Sequence, residues 1–544
     1  MKIATLFATL FLTLTLHKTA AQRFEAEDAV LTGGATVQSA ASASGGKFVA
    51  QNAGALAFNI SVETEGFYNI TLQVAAPNGN KINVFSIGNN SINFSATVTT
   101  YTPIPVGSAI RLAAGNHAMK ISNSWGYVNI DYLELQKVTG SGRFDINTTL
   151  VTPVPNEGAV RLYQFLYDNY GKKLISGVMT LNSFDETNWL KDNIGKEPAL
   201  VGLDFMHSGR GYTWYNDKQP IEDARAYYNR NGIPAICWHW RDPLRVTEEF
   251  YTEKTSFDIN QIFDEKSTGY KAMIEDIDYI SSLLKELQDE NIPVIWRPLH
   301  EAAGGWFWWG AKGPEGCKEL WHVMFDRMVN HHGLKNLIWV WTREPNDDAW
   351  YPGDEYVDIV GRDIYKEGDH NSQILEFSDM NVRYGNKKMI TISEVGSFPD
   401  PDKVVADGAA WSWFMPWYGD FVRDGNHNSA ALWEKILGHE YVITLDEMPD
   451  LKTYEPAPPD PDPVMDVEIK KTSDVRIFPT RVEDSIRIET DGIIGSVIIK
   501  NILGQEVITT DLQSPSGSIS MKGVKPGLYF IKVRNNPSVK VFKR

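Results

Sequence analysis

Near the start of the chain, apolar and polar positions alternate with period two. In Phe67-Tyr68-Asn69-Ile70-Thr71-Leu72-Gln73-Val74 every second side chain from Tyr68 onward is apolar. That is the pattern of strands with one face buried. Turn residues such as Pro77-Asn78-Gly79-Asn80 punctuate it at short intervals. Residues 22–138 therefore read as an all-β sandwich, with a short hinge over 138–143. From about 150 to 447 the pattern changes to short, continuous apolar runs separated by amphipathic stretches. The runs lie at 174–179, 199–205, 234–240, 293–299, 337–341, 357–364, 388–393 and 410–415. Between them, segments such as 270–290 and 315–331 carry apolar residues at three-and-four spacing, which predicts helices. Eight such strands with intervening helices predict a (β/α)₈ barrel. The rival is a doubly wound open sheet, but no glycine-rich loop follows the first strand. Residues 448–472 hold Pro456, Pro458, Pro459, Pro461 and Pro463 among acids, a stiff solvated spacer. Alternation returns in 473–544, at 475–478, 486–489, 497–501 and 529–533, which predicts a second, small β-sandwich. The fold class is thus multidomain, with a central barrel flanked by two β-domains.

Composition adds compartment and excludes partners. The 544 residues are 42% hydrophobic and 22% charged, an ordinary globular balance, with a net charge of −17. Such an acidic chain offers no basic surface, so nucleic acid is not an expected partner. Residues 1–21 read as a secretory signal: Lys2, a short apolar run, then Thr19-Ala20-Ala21. No other stretch is long and apolar enough to span a bilayer, so no membrane span is expected in the mature chain. Cys237 and Cys317 are too few for a disulfide framework and lack zinc spacing; both read as core residues. Of 17 Trp, all but Trp125 lie between Trp189 and Trp433.

The candidate chemistry lies at strand ends, where barrels of this type place their functional side chains. The fourth strand runs out through Arg297-Pro298-Leu299-His300-Glu301, and the seventh through Ile392-Ser393-Glu394-Val395. Two glutamates facing each other across a barrel mouth suit glycoside hydrolysis, one as acid and one as nucleophile. Their proximity raises one pKa and keeps one of them protonated near neutral pH. Just beyond Glu301, Gly305-Trp306-Phe307-Trp308-Trp309-Gly310 sets three indoles in a loop. Aromatic faces of this kind suit stacking on sugar rings, with Trp306 the favoured contact and Trp308 and Trp309 equally readable as core. Arg297 either lowers a neighbouring carboxylate's pKa or forms a barrel-core ion pair.

The stretch from Arg297 to Glu301 with the loop to Gly310 resembles the acid/base motif of glycoside hydrolase family 26. Ile392-Ser393-Glu394-Val395-Gly396 is similar to its nucleophile strand. The likeness spans roughly residues 155–440 and implies a retaining β-1,4-mannanase on a (β/α)₈ barrel that uses no catalytic cofactor. It implies Glu301 as general acid/base, Glu394 as nucleophile, and His239 and His300 as substrate-site histidines. Tyr365 matches the tyrosine that orients the nucleophile, and Trp306 the tryptophan beneath the sugar. Trp411 and Trp413, after strand eight, are read as extending the groove. Ala302-Ala303 stands where many relatives carry larger polar residues. Strict alternation would also send His300 and Glu301 to opposite faces, so the strand must kink or end there.

Phe24-Glu25-Ala26-Glu27 and Asn129-Ile130-Asp131-Tyr132 resemble carbohydrate-binding modules of families 6 and 35. The resemblance implies a structural calcium on Glu25, Glu27 and Asp131. It places Trp125 at a sugar-stacking position, with core packing as the competing reading. The tail, with Asn501-Ile502-Leu503-Gly504-Gln505 and Pro526-Gly527-Leu528-Tyr529, resembles the sorting domain of type IX secretion. Together these imply a secreted or cell-surface endo-β-1,4-mannanase acting on mannan-type polysaccharide, delivered by type IX secretion machinery. The alternatives are the same fold acting on mixed-linkage β-glucan or β-1,3-xylan, or a non-catalytic mannan-binding protein.

Overall fold

In the computed structural model of the chain, the described residues are 21–138, 144–209, 215–345, 347–455 and most of 475–543. The apolar signal stretch (1–20), the hinge from 139 and the proline-rich stretch from 456 lie outside them.

Residues 22–138 form two antiparallel sheets. One is built on Asn129–Lys137, which pairs with Gly66–Ala75, Lys47–Ala50 and Gln22–Glu25. The other is built on Gly115–Trp125, between Ala55–Val62 and Lys81–Ile87. The period-two reading holds residue by residue. Leu56, Phe58, Ile60 and Val62 are buried and alternate with more exposed neighbours, as do Ile70, Leu72 and Val74.

The central domain has eight parallel strands: β1 (Leu174–Met179), β2 (Leu200–Asp204), β3 (Ile233–Cys237), β4 (Val294–Arg297), β5 (Leu337–Arg343), β6 (Ile359–Ile364), β7 (Met389–Val395) and β8 (Trp413–Pro416). Each pairs with the next, and β8 and β2 both pair with β1, so the sheet closes into a barrel. Closure buries both faces, which is why these strands read as unbroken apolar runs. Helix Thr268–Asp289 starts where Ser267 Oγ accepts from the Tyr270 amide, and Pro314 opens the next helix at a position where its missing N–H costs nothing.

The tryptophans mostly build this barrel rather than a groove. Trp240, Trp296, Trp308, Trp309, Trp321, Trp339 and Trp433 are fully buried. So are Trp411 and Trp413, which corrects the groove reading. Trp411 donates its indole N–H to Ser372 O at 2.9 Å and packs on Phe377, and Trp413 lies in β8. The domain also continues past Glu447: Leu451 is buried, and Tyr454 packs on Phe165 and donates to Asp168 at 2.9 Å. Cys237 and Cys317 are buried free thiols.

The first sandwich and the barrel belong to one compact unit, Met1–Ala457. Asn90 Nδ2 donates to Asp407 Oδ2 at 3.3 Å, and Arg111 Nη1 to the Val405 carbonyl at 3.1 Å. The second unit, Pro458–Arg544, holds two small sheets around Ile486, Ile488, Val497, Ile499, Ile531 and Val533.

Candidate active site

β4 ends at Arg297, four residues before Glu301. Leu299 and Glu301 then adopt left-handed φ of 47° and 52°. Each such turn costs a non-glycine residue about 1 kcal/mol or more, so the surrounding contacts must hold it. The curl resolves the alternation problem, because His300 and Glu301 both enter the barrel mouth. The loop after them is clamped: Thr252 N donates to Trp306 O at 2.7 Å, and Trp308 N to Phe250 O at 3.1 Å. Trp306 folds back over Gly304, where a Cβ would fall 2.1 Å from the indole edge. Ala302 is fully buried, and its carbonyl lies 1.9 Å from where a Cβ on Gly310 would fall, so that position needs glycine.

On the opposite side, β7 carries a bulge. Arg362 pairs with Ile392 and Asp363 pairs with Glu394, leaving Ser393 as the extra residue. A bulge re-aims the side chains beside it. Ser393 Oγ donates to Asp363 Oδ1 at 2.6 Å, and Glu394 Oε1 contacts the Arg297 guanidinium. Arg297 also reaches Asp363 Oδ2 at 3.1 Å and Thr342 Oγ1 at 3.1 Å. It is therefore a buried ion-pair centre, and its nearest effect is on Glu394 rather than on Glu301. Tyr365, a residue 47% exposed overall, turns its hydroxyl to donate to Glu394 Oε2 at 2.8 Å. Trp306, 42% exposed, donates from Nε1 to Glu301 Oε2 at 2.9 Å.

Carboxylate oxygens of Glu301, Asp363 and Glu394 lie within 4.8 Å of one another. Burial first, then the charges of Asp363 and Glu394, pushes the Glu301 pKa up to about 9. Burial raises that of Glu394 to about 7, with Arg297 opposing the rise. The order assigns the proton to Glu301 and the charge to Glu394. The retaining geometry needs carboxyl groups roughly 5–5.5 Å apart, the inverting one roughly 6.5–9.5 Å, and this pair is of the close kind.

His239, just past β3, is buried, with Nδ1 2.6 Å from Asp204 Oδ2. Its Nε2 lies 3.1 Å from His300 Nε2. Burial, with Arg297 and His239 nearby, holds His300 well below the ordinary imidazole range, so it is neutral. Trp417 faces His239 with ring centroids 5.6 Å apart. Glu301, Glu394, His239, His300, Trp306 and Tyr365 thus converge on one cleft. Asp204, Asp363 and Trp417 are site residues that sequence reasoning missed. Asp204 closes β2 and Asp363 lies next to the end of β6, so the strand-end rule applied to all eight strands would have found both acids.

The sandwich residues stand apart from this cleft. Trp125 is 61% exposed at the end of its strand, beside Tyr127 and Lys81, so it is a surface ring rather than core. Glu25 Oε1 accepts from Ser44 Oγ at 2.9 Å and Asp131 Oδ1 from the Ser44 amide at 2.8 Å. Glu25 Oε2 and Glu27 Oε2 are buried with no hydrogen-bond partner. Burial, then Glu25 and Glu27, raises the Asp131 pKa. The groups of three ligand atoms found within 4.8 Å of one another among the described residues are Asp204–Cys237–His239 and Glu301–Asp363–Glu394, not these three acids.

Residues 151–447 match the profile of Glycosyl hydrolase family 26, residues 22–138 that of Carbohydrate binding module (family 35), and residues 476–544 that of the Secretion system C-terminal sorting domain. The chain is 35% identical over 448 residues to a mannan endo-1,4-beta-mannosidase of Thermothelomyces thermophilus, spanning 79% of this chain and 91% of that protein. It is 32% identical to mannan endo-1,4-beta-mannosidase A of Piromyces sp, over 78% and 72% of the two chains. Among solved structures it is similar to a Podospora anserina GH26-CBM35 beta-(1,4)-mannanase, at 36% identity and a TM-score of 0.56, covering 80% of this chain and 99% of that one. A ruminal GH26 endo-beta-1,4-mannanase matches at 29% identity and a TM-score of 0.67, over 79% and 98%.

Proposed function

The chain belongs to glycosyl hydrolase family 26, and from that premise we propose that its barrel cleaves internal β-1,4-mannosidic bonds of mannan-type polysaccharide with retention of configuration. In the first step Glu394 attacks the anomeric carbon. The bond to the departing sugar breaks, and Glu301 gives its proton to the leaving oxygen. In the second step Glu301 takes a proton from water, whose oxygen displaces Glu394 from the same carbon. Tyr365 holds the Glu394 rotamer by its hydrogen bond, and Arg297 favours its charged form. Trp306 orients Glu301 while offering its exposed face to a sugar ring. His239, steadied by Asp204, and His300 supply polar contacts at the bottom of the cleft.

The observation that carries this reading is the approach of Glu301 and Glu394 oxygens to within 4.8 Å, across a cleft faced by exposed aromatic rings. The decisive test pairs Glu394→Ala with a panel of mannan, mixed-linkage β-glucan and β-1,3-xylan. Wild-type protein should release reducing sugar from mannan as the β-anomer, read by NMR before mutarotation. Glu394→Ala should release at least about 10⁴-fold less. Near-normal release by that variant would refute the nucleophile assignment, and preference for another polysaccharide would refute the substrate.

The sorting-domain match makes this a secreted or cell-surface protein that handles polysaccharide outside the cell. Among the described residues no helix is long and apolar enough to cross a membrane. Secretion by the type IX route and use of Trp125 as a sugar platform belong to the same proposal. So does a calcium ion held by Glu25, Glu27 and Asp131. Their all-oxygen donor set and two unpartnered buried carboxylate oxygens suit a hard cation, which would neutralise the cluster.

A further inference from the structure

Glu344 is the residue just past β5. Thr342 faces the barrel interior, where it accepts from Arg297, and Arg343 faces outward to Asp379 at 2.9 Å. Glu344 follows directly, and its carboxylate lies close enough to Glu301 to add to the rise in that group's pKa. β5 follows β4 around the barrel, so Glu344 flanks the segment that carries Glu301. Its side chain is only 13% exposed, and Oε1 accepts from Arg362 Nη1 at 2.9 Å. Among the described residues no hydrogen bond reaches Oε2. Arg362 is anchored in turn by the Arg343 carbonyl at 3.2 Å and lies 3.8 Å from Glu376, so the pair is braced from behind. The result is a held carboxylate with one oxygen that takes no hydrogen bond among the described residues and a charge that is felt at Glu301.

The direction of the reaction says what that oxygen meets. His239 and Trp417 follow β3 and β8 and touch across the β1–β2 side of the cleft. The proton on Glu301 must reach the oxygen of the departing sugar, so that sugar lies against Glu301 on the other flank, toward β5 and β6. Building on the glycosidase reading above, we propose that Glu344 is a specificity-determining residue whose free carboxylate oxygen accepts a hydrogen bond from a hydroxyl of the departing sugar, with Arg362 fixing its rotamer. A buried acceptor of this kind discriminates strongly, because losing the hydroxyl leaves it unpaired.

The test compares the full chain with Glu344→Gln, which keeps shape but removes charge, and Glu344→Asp, which withdraws the carboxylate by one methylene. Two substrates are used. Mannopentaose puts sugars on both sides of the cleaved bond, whereas nitrophenyl β-mannobioside cut at its aryl bond puts none on the departing side. The ratio of kcat/KM for mannopentaose to that for the aryl glycoside should fall about tenfold in both variants. Transglycosylation onto added mannobiose should fall with it. An unchanged ratio, or a fall of equal size on both substrates with a lowered unfolding midpoint, would overturn the assignment. Wild-type protein inert on both substrates would instead overturn the glycosidase reading, and this inference with it.

Discussion

Glu301 shares its cleft with Asp363 and Glu394, and its folded pKa of about 9 lies far above the ordinary glutamate value. The native state therefore binds this proton more tightly than the unfolded chain. The stability this contributes is complete at acid pH and is lost as pH rises from the unfolded value through 9. Glu301→Gln, which cannot ionise, should unfold about 2–4 °C above wild type at pH 9 by calorimetry, the gap closing by pH 5. Asp363 is the second contributor to the shift, after burial. Asp363→Asn should move the alkaline limb of the kcat/KM profile down by about one pH unit. An unmoved limb would show that the Asp363 charge does not set it. Glu301 and Glu394 were legible from their positions at strand ends. Asp363 was equally legible by position, one residue before the end of β6, but its contacts to Arg297 on β4 and Ser393 on β7 were not.

Among elements, the loop from Glu301 to Gly310 does most of the positioning. Its left-handed residues and its glycines are one design: Glu301 turns into the mouth, and Trp306 folds onto Gly304 to hold it. Gly304→Ala would place a Cβ against that indole and push it away. The expected outcome is a KM for mannopentaose raised about tenfold, with quenching of Trp fluorescence by iodide increased as the ring moves into solvent. An unaltered KM would show that the ring is not a sugar contact. All eight barrel strands were legible as apolar runs, because closure buries both faces. The reading of Trp411 and Trp413 as groove residues failed for the same reason. An apolar ring next to a strand end has no sequence mark that separates core from cleft, and burial here went to the core.

At the scale of the whole molecule, a sandwich that bears an exposed ring is bonded to the barrel through Asn90 and Arg111. If Trp125 is a sugar platform, Trp125→Ala should weaken retention on insoluble mannan about tenfold in depletion assays. If Glu25, Glu27 and Asp131 hold calcium, EDTA should lower the sandwich's unfolding midpoint and added calcium should restore it. A midpoint indifferent to both would remove the ion from the account.

Sequence alone determined what hydrophobic period and local motif can encode: the sandwich-and-barrel order, the strand count, and two glutamates at the ends of the fourth and seventh strands. These are properties of a chain read a few residues at a time, because burial of one face or two leaves its mark on neighbouring positions. Tertiary structure alone decided which carboxylate keeps the proton, which tryptophans face the cleft, and that Arg297, Asp363 and Glu344 surround the pair. Those depend on a curl after β4, a bulge in β7 and side chains meeting from four different strands. Electrostatics acts through space, and no spacing along the chain records it.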